Sequence, residues 1–340
     1  MHGVQGGRIL CIHQGALGDF ILSLPAVKAL REYLQPRWLE IMGHPWILPL
    51  VSEPPYADAV IDINRAQMAL LFQEEAALPE ELQTYLSAFD AAFYFGRSTT
   101  FAHNLQRAGI RKTFILPPFP KERQHLIDHH LASMQALGIT AAYETPVLFP
   151  RGEEKGEAEV FFSERGWESH TIIALHPGAG GSNKVWSPRR FAALGRILAK
   201  GRAKLLILQG PADKGAVREV VANLNGTPHL VVHDVPITTL AALLNRASLF
   251  IGNDSGVSHL AAALGIWTLA LFGPTDPVVW APRGERAFYL KKGGSLDTIE
   301  VADVLTFLNE RMNLCLTAVA LQGRPIDMPA PTCSHTGGNL

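Results

Sequence analysis

The sequence predicts an α/β chain of two doubly wound, parallel-sheet domains. Three observations carry that prediction. Short apolar runs bounded by glycine or polar residues alternate with segments of helical period along most of the chain, and such uninterrupted apolar runs mark parallel strands buried on both faces. The alternation breaks once, between Pro150 and Ser169, and then restarts. The length of 340 residues suits two domains better than one. Two consecutive units of this kind place ligands in loops at the carboxyl ends of the strands, with a cleft between the units. The expected divisions are 1–150 for the N-terminal domain, 151–169 for a linker, 170–320 for the C-terminal domain with its final helix, and 321–340 for a disordered tail.

In the first half, RILCIH (8–13), WLEIMG (38–43), DAVIDIN (58–64) and FDAAFYFG (89–96) read as strands. Phe20, Leu24, Val27, Leu30 and Leu34 recur at helical spacing, with Pro25 expected to kink that helix or mark its true first turn. RQHLIDHHLASMQALGI is a helix closed by Gly138. The stretch from Pro150 to Ser169 is acidic and broken by glycine, as a partly helical linker would be. After it, strands TIIALH, AKLLILQ, HLVVH, SLFIGN and WTLALF alternate with helices SPRRFAALGRILAKG, KGAVREVVANL, TTLAALLNRA and GVSHLAAALG. A helix over TIEVADVLTFLNERMNL ends the pattern.

Hydrophobic residues make up 47% and charged residues 18%, enough for sizeable cores, and the net charge of −1 is not that of a nucleic-acid binder. Charge is uneven, however. Arg97, Arg107, Arg111, Lys112, Lys121 and Arg123 face one acid, Glu122, which is either a solvated face or an anion-binding surface. Cys11, Cys315 and Cys333 are scattered, as reduced cytosolic thiols are. The N-terminus carries no signal-peptide pattern, and the longest apolar run, Leu260 to Phe272, is too short to span a bilayer. These features predict a soluble protein that can still touch a membrane surface.

Several loops that follow strands could carry chemistry. In QGALGDF, Asp19 lies behind a glycine turn at a helix start, where it can cap the helix or act as a base. In HPGAGGSNKVWSP, glycines, Ser182, Asn183 and Lys184 lie between a strand and a helix whose Ser187 and Pro188 suit the N-cap and first positions. Glycines let backbone N–H groups approach an anion, and lysine adds a full charge. In FIGNDSGVSHL, Asp254 or Ser255 can cap the helix, or the helix start can bind a diphosphate with Ser255 and Gly256 close to it and His259 one turn in. In LILQGPADKGA, Asp213 is either a turn residue or a ribose contact. Thr275 and Asp276 in LFGPTDP can face the cleft. No D-x-D occurs, and His125 with His129 lacks a third ligand, so no metal site is expected.

Taken together, GALGDFILSLPAVKALR, HPGAGGSNKVWSPRRFAAL and IGNDSGVSHLAAALGIWTLALFGPTDP resemble glycosyltransferase family 9, the heptosyltransferases of lipopolysaccharide core assembly, over nearly the whole chain to about residue 318. The resemblance implies a GT-B fold, with two Rossmann-like domains facing across a cleft, the acceptor on the N-terminal domain and the donor on the C-terminal one. It implies inverting, metal-independent transfer of heptose from ADP-heptose as co-substrate, with no cofactor, to a Kdo or heptose acceptor of the inner core. The missing D-x-D agrees with that. By position, Asp19 matches the family's general base and Lys184 the lysine that neutralises the departing diphosphate. Ser182, Asn183, Asp254, Ser255, Gly256 and His259 match donor-binding positions, with Asp254 on sugar hydroxyls. Asp213 lies near a ribose-contacting Glu of the family but is shorter. Gly18 and Arg97 are the acceptor-side candidates. The implied partners are a nucleotide sugar and an anionic glycolipid, met in the cytoplasm at the inner face of the inner membrane. Another donor or acceptor within the family, a GT-B nucleotide-sugar epimerase and an inactive binding protein are the alternatives.

Overall fold

The computed structural model describes residues 3–140, 142–200 and 203–312. These residues fall into two compact units. The first holds the chain up to Glu154 together with Pro236–Ala242 and Asp276–Arg283; the second holds Lys155–Val235, Leu243–Thr275 and the chain from Gly284 on.

The first unit is a five-stranded sheet. Its strands are β1 (Arg8–His13), β2 (Trp38–Gly43), β3 (Ala59–Asp62), β4 (Ala91–Phe95) and β5 (Lys112–Leu116), in the order β3-β2-β1-β4-β5 and parallel throughout. β1 and β4 are central and almost wholly buried, which is why they are unbroken apolar runs. Helices α1 (Leu17–Leu34), α2 (Glu80–Ser87), α3 (Thr99–Arg107) and α4 (Leu126–Ala136) complete the unit. α1 begins well before Pro25, so that proline lies in the helix interior and not in its first turn. Every residue from Phe20 to Val27 is buried, and packing on all sides holds a helix that the missing proline N–H weakens. Gly138, at φ +78°, ends α4 as read from the sequence.

Helix α5 (Gly152–Ser163) occupies most of the stretch expected as linker, and the division between units falls inside it, at Glu154. The late segment Asp276–Arg283 joins the first unit for visible reasons. Arg283 forks onto both carboxylate oxygens of Asp128 at 2.8 and 3.0 Å, and His125 Nε2 lies 2.9 Å from the Ala281 carbonyl.

The second unit is a six-stranded parallel sheet of β6 (Thr171–His176), β7 (Ala203–Gln209), β8 (His229–His233), β9 (Leu249–Asn253), β10 (Trp267–Phe272) and β11 (Ala287–Lys291), ordered β11-β10-β9-β6-β7-β8. Its helices are α6 (Pro188–Leu198), α7 (Lys214–Asn223), α8 (Ile237–Asn245, shared between the units), α9 (Gly256–Ala263) and α11 (Val301–Arg311); the short α10 (Pro277–Trp280) belongs to the first unit. Trp186, Phe191, Ile173, Leu205 and Leu269 lie in one continuous core.

Each strand order reverses once, between β1 and β4 in the first unit and between β6 and β9 in the second. Loops leaving the carboxyl ends of such a pair diverge and open a crevice. Asp19 and Arg97 follow the β1/β4 pair and Lys184, Asp254 and Ser255 follow the β6/β9 pair, whereas Asp213 follows β7 and Thr275 follows β10. The tail 321–340, which holds Cys333, and Cys315 before it lie outside the described residues; Cys11 is buried in β1, and burial pushes its thiol up to about 12.

Candidate active site

At the second unit's crevice, the loop after β6 ends in a single 3₁₀ turn, Ser182–Lys184. Lys184 Nζ donates to Asp254 Oδ2 at 2.9 Å, and the Thr275 hydroxyl donates to the same oxygen at 2.7 Å. Asp254 is 7% exposed, so this carboxylate leaves water and is compensated by one ammonium and one hydroxyl. Loops after three strands thus contribute to one ionic cluster: Lys184 after β6, Asp254 after β9 and Thr275 after β10. The Thr275 carbonyl in turn accepts from Lys291 Nζ at 2.7 Å.

Ser255 occupies the N-cap position of α9, but its side chain does not cap the helix, and the first turn of α9 holds no acid. The positive end of the helix is therefore not offset by a side chain of its own. Ser255 Oγ lies instead 3.2 Å from His176 Nδ1. Asn253 ties the two loops together. Its Oδ1 accepts from the Trp186 N–H at 3.0 Å, and its Nδ2 donates to the carbonyls of Pro177 and Gly178 at 2.9 and 3.1 Å. His259 is buried, one turn into α9.

Asp213 stands in the loop after β7, at the N-cap position of α7. Its carboxylate is turned inward, with His176 Nε2 at 3.0 Å and the Gly210 N–H at 2.8 Å on Oδ2. Burial pushes its pKa up, but hydrogen bonds from His176 and from the backbone of Gly210 and Ala179 outweigh that and hold it below the usual carboxylate value. A Cβ on Gly178 would sit 1.9 Å from Asp213 Cγ. The anion that this glycine lets the backbone approach is thus Asp213 itself. His176, Asn253 and Trp186 were missed by sequence reasoning. The available signal was a polar ring closing an otherwise apolar buried strand.

In the first unit, Asp19 is the third residue of α1, whose N-cap is Ala16 with no side-chain cap. An acid in a first helical turn is favoured by the helix dipole. Asp19 packs over Gly15, where a Cβ would lie 2.9 Å from Asp19 Cβ and 2.6 Å from His13 Cε1, so the chain passes there only as glycine. His13 closes β1, accepts from the Gly15 N–H at Nδ1 (3.1 Å) and sits edge-on to Phe20. Burial, helped by nearby His44, lowers its pKa to about 3. Gly18 is half-buried in the first turn of α1.

Arg97 follows β4 and lies over the Phe119 ring at 5.7 Å. With Lys121, Glu122, His129 and Phe119 it lines a cavity of about 610 Å³. The basic stretch therefore divides: Arg111 pairs with Asp90 and Arg123 with Asp276, while Arg97 and Lys121 border open space. His125 caps α4 and His129 faces the Pro117 carbonyl. Among the described residues, no group of three or more His, Cys, Asp or Glu could hold a metal ion, and no helix is long and apolar enough to cross a membrane.

Residues 118–296, just over half of the chain, match the family model of glycosyltransferase family 9 (heptosyltransferase). The chain belongs to glycosyltransferase family 9. This family 9 enzyme is 23% identical over 287 residues to lipopolysaccharide heptosyltransferase 3 of Escherichia coli, covering 78% of this chain and 83% of that protein. Its fold is that of a solved family 9 glycosyl transferase from Veillonella parvula (TM-score 0.77, 20% identity, 90% of this chain and 97% of that one). E. coli ADP-heptose LPS heptosyltransferase II has the same fold (TM-score 0.73, 21% identity, 89% and 97%). The family 9 enzyme is a glycosyltransferase with the GT-B fold of two Rossmann-like units.

Proposed function

We propose that this glycosyltransferase transfers heptose from ADP-heptose to a Kdo or heptose residue of a lipopolysaccharide inner core, with inversion and without a metal ion. The observation that carries the donor half is the convergence of Lys184, Asp254 and the α9 start at the β6/β9 crevice. ADP-heptose is the donor named for the heptosyltransferase II that shares this fold, and the lipopolysaccharide acceptor follows from the name of the E. coli relative.

In this reading an acceptor hydroxyl attacks the anomeric carbon while the bond to the diphosphate breaks on the opposite face. Asp19 takes the hydroxyl proton. A positioned general base is worth roughly 10²–10⁴-fold. Negative charge grows on the departing ADP, where Lys184 and the N–H groups of α9 and of the loop through Ser182 and Asn183 meet it. A carboxylate can accept from sugar hydroxyls while keeping its lysine partner, so Asp254 orients the heptose through Lys184 and Thr275. Arg97, Gly18 and the cavity beside Phe119 belong to the acceptor side, where a guanidinium suits a carboxylate or phosphate. The enzyme works in the cytoplasm and meets its glycolipid at the inner-membrane surface.

Calorimetry with ADP-heptose, UDP-sugars and GDP-sugars tests the donor. Binding of ADP-heptose alone supports the reading. Preference for a uridine or guanosine donor overturns it, and epimerised donor formed without acceptor would put an epimerase in its place.

A further inference from the structure

Asp213 after β7, His176 at the end of β6 and Ser255 after β9 form a chain of hydrogen bonds that is buried at its Asp213–His176 link and part-buried at Ser255. Asp213 Oδ2 is 3.0 Å from His176 Nε2, and His176 Nδ1 is 3.2 Å from Ser255 Oγ. His176 is 4% and Asp213 7% exposed. Gly252 stands beside His176 in the β6/β9 register, where a Cβ would come within 2.7 Å of the Phe250 ring and 3.2 Å of His176 Cβ. An ionised carboxylate only accepts, so Nε2 carries a hydrogen. In a neutral imidazole the other nitrogen is then an acceptor, and Ser255 meets it with its hydroxyl hydrogen in preference to Ser258 Oγ, which lies farther off at 3.5 Å.

We propose that His176 is a positioning residue that transmits the fixed polarity of Asp213 to Ser255, so that Ser255 meets the bound donor with its hydrogen turned inward and its lone pairs outward. This rests on the donor-site reading of the β6/β9 crevice. Its consequence is a division of labour that neither residue type nor spacing reveals. Ser255 Oγ cannot donate to a phosphate oxygen in this state; it accepts from a hydroxyl of the nucleotide sugar. Phosphate oxygens are left to backbone N–H groups at the start of α9 and to Lys184. Asp213 then contributes to donor recognition without touching the donor.

The test is a double-mutant cycle read by calorimetry with ADP-heptose. Asp213→Ala removes the acceptor that fixes the hydrogen on Nε2, so the ring can carry it on Nδ1 and the bond to Ser255 reverses. Asp213→Ala and Ser255→Ala should each weaken ADP-heptose binding about 3- to 10-fold, the worth of one hydrogen bond. The double variant should be no weaker than either single one. Multiplying effects overturn the relay, and so does a Ser255→Ala variant with unchanged affinity, while the donor reading stands if wild type binds ADP-heptose and Lys184→Ala does not. Absence of wild-type binding removes the donor reading and the relay together. Nitrogen NMR of His176 supplies a readout independent of binding: the Nε2–H tautomer in wild type supports the relay, and the Nδ1–H tautomer overturns it.

Discussion

Replacing Lys184 with alanine removes one ammonium that compensates Asp254 and, in the proposed function, also meets the donor diphosphate. Its Nζ lies 2.9 Å from Asp254 Oδ2. Breaking a buried pair costs about 3–5 kcal/mol. The Lys184 side chain is 32% exposed and Thr275 still donates to Asp254, so the expected loss of stability is smaller, about 1–2 kcal/mol. On the donor, a charge-assisted hydrogen bond is worth about 1.5–3 kcal/mol, which is roughly 10- to 100-fold in ADP affinity. The uncompensated Asp254 would repel the diphosphate and push the loss towards the upper end. Asp254→Asn has the opposite sign on ADP alone: it frees Lys184 and removes a negative charge, so ADP binds as tightly or more tightly while heptose transfer falls. The assays are calorimetry with ADP, thermal unfolding and steady-state transfer. If Lys184→Ala lowers the melting temperature but leaves ADP affinity and turnover intact, the lysine is only a tie to Asp254 and the reasoning fails.

Other outcomes follow from the same geometry. Asp19→Asn should lower turnover about 10²–10⁴-fold with ADP affinity unchanged; near-normal turnover removes Asp19 from the base role. Gly178→Ala must displace the Asp213 carboxylate and should cost about 1–3 kcal/mol in denaturant unfolding, whereas Gly180→Ala, with open space around it, should cost little. The first unit should be acid-sensitive. Burial lowers His13 from 6.5 to about 3, His125 to about 4 and His130 well below its usual value. Each takes up a proton on unfolding once the pH falls below about 6.5, so the stability present above that value is lost as pH falls towards 4, at about 1.4 kcal/mol per pH unit per histidine. Urea unfolding at pH 7 and pH 5 measures it, and His130→Leu should flatten the slope.

The double β/α pattern was legible because central parallel strands such as β1, β4, β6 and β9 are buried on both faces and therefore read as unbroken apolar runs. The edges were not. β5 and β11 are largely exposed or half-buried, and α2 and α3 run only 8 and 9 residues, too short to repeat an apolar face over several turns. The return of Asp276–Arg283 to the first unit depends on Arg283 meeting Asp128 across a sequence distance that no local pattern encodes. The candidate residues at both crevices were legible from glycine, acid and lysine placed just after strands. Their partnerships were not: Lys184 with Asp254, and Asp213 with His176, join loops that only the strand order brings together. Alone in the sequence Asp19 reads first as a cap or turn residue, and its base role comes from the family resemblance; the structure gives the cap position to Ala16.

The most direct test of the account is transfer by the purified protein from ADP-heptose to a defined inner-core glycolipid, in the presence of a chelator, with the product anomer assigned by NMR. The account predicts ADP release that requires acceptor, survives chelation and yields the inverted linkage. Retention of the donor's anomeric configuration, loss of activity on chelation, or turnover only with a different nucleotide sugar would contradict it.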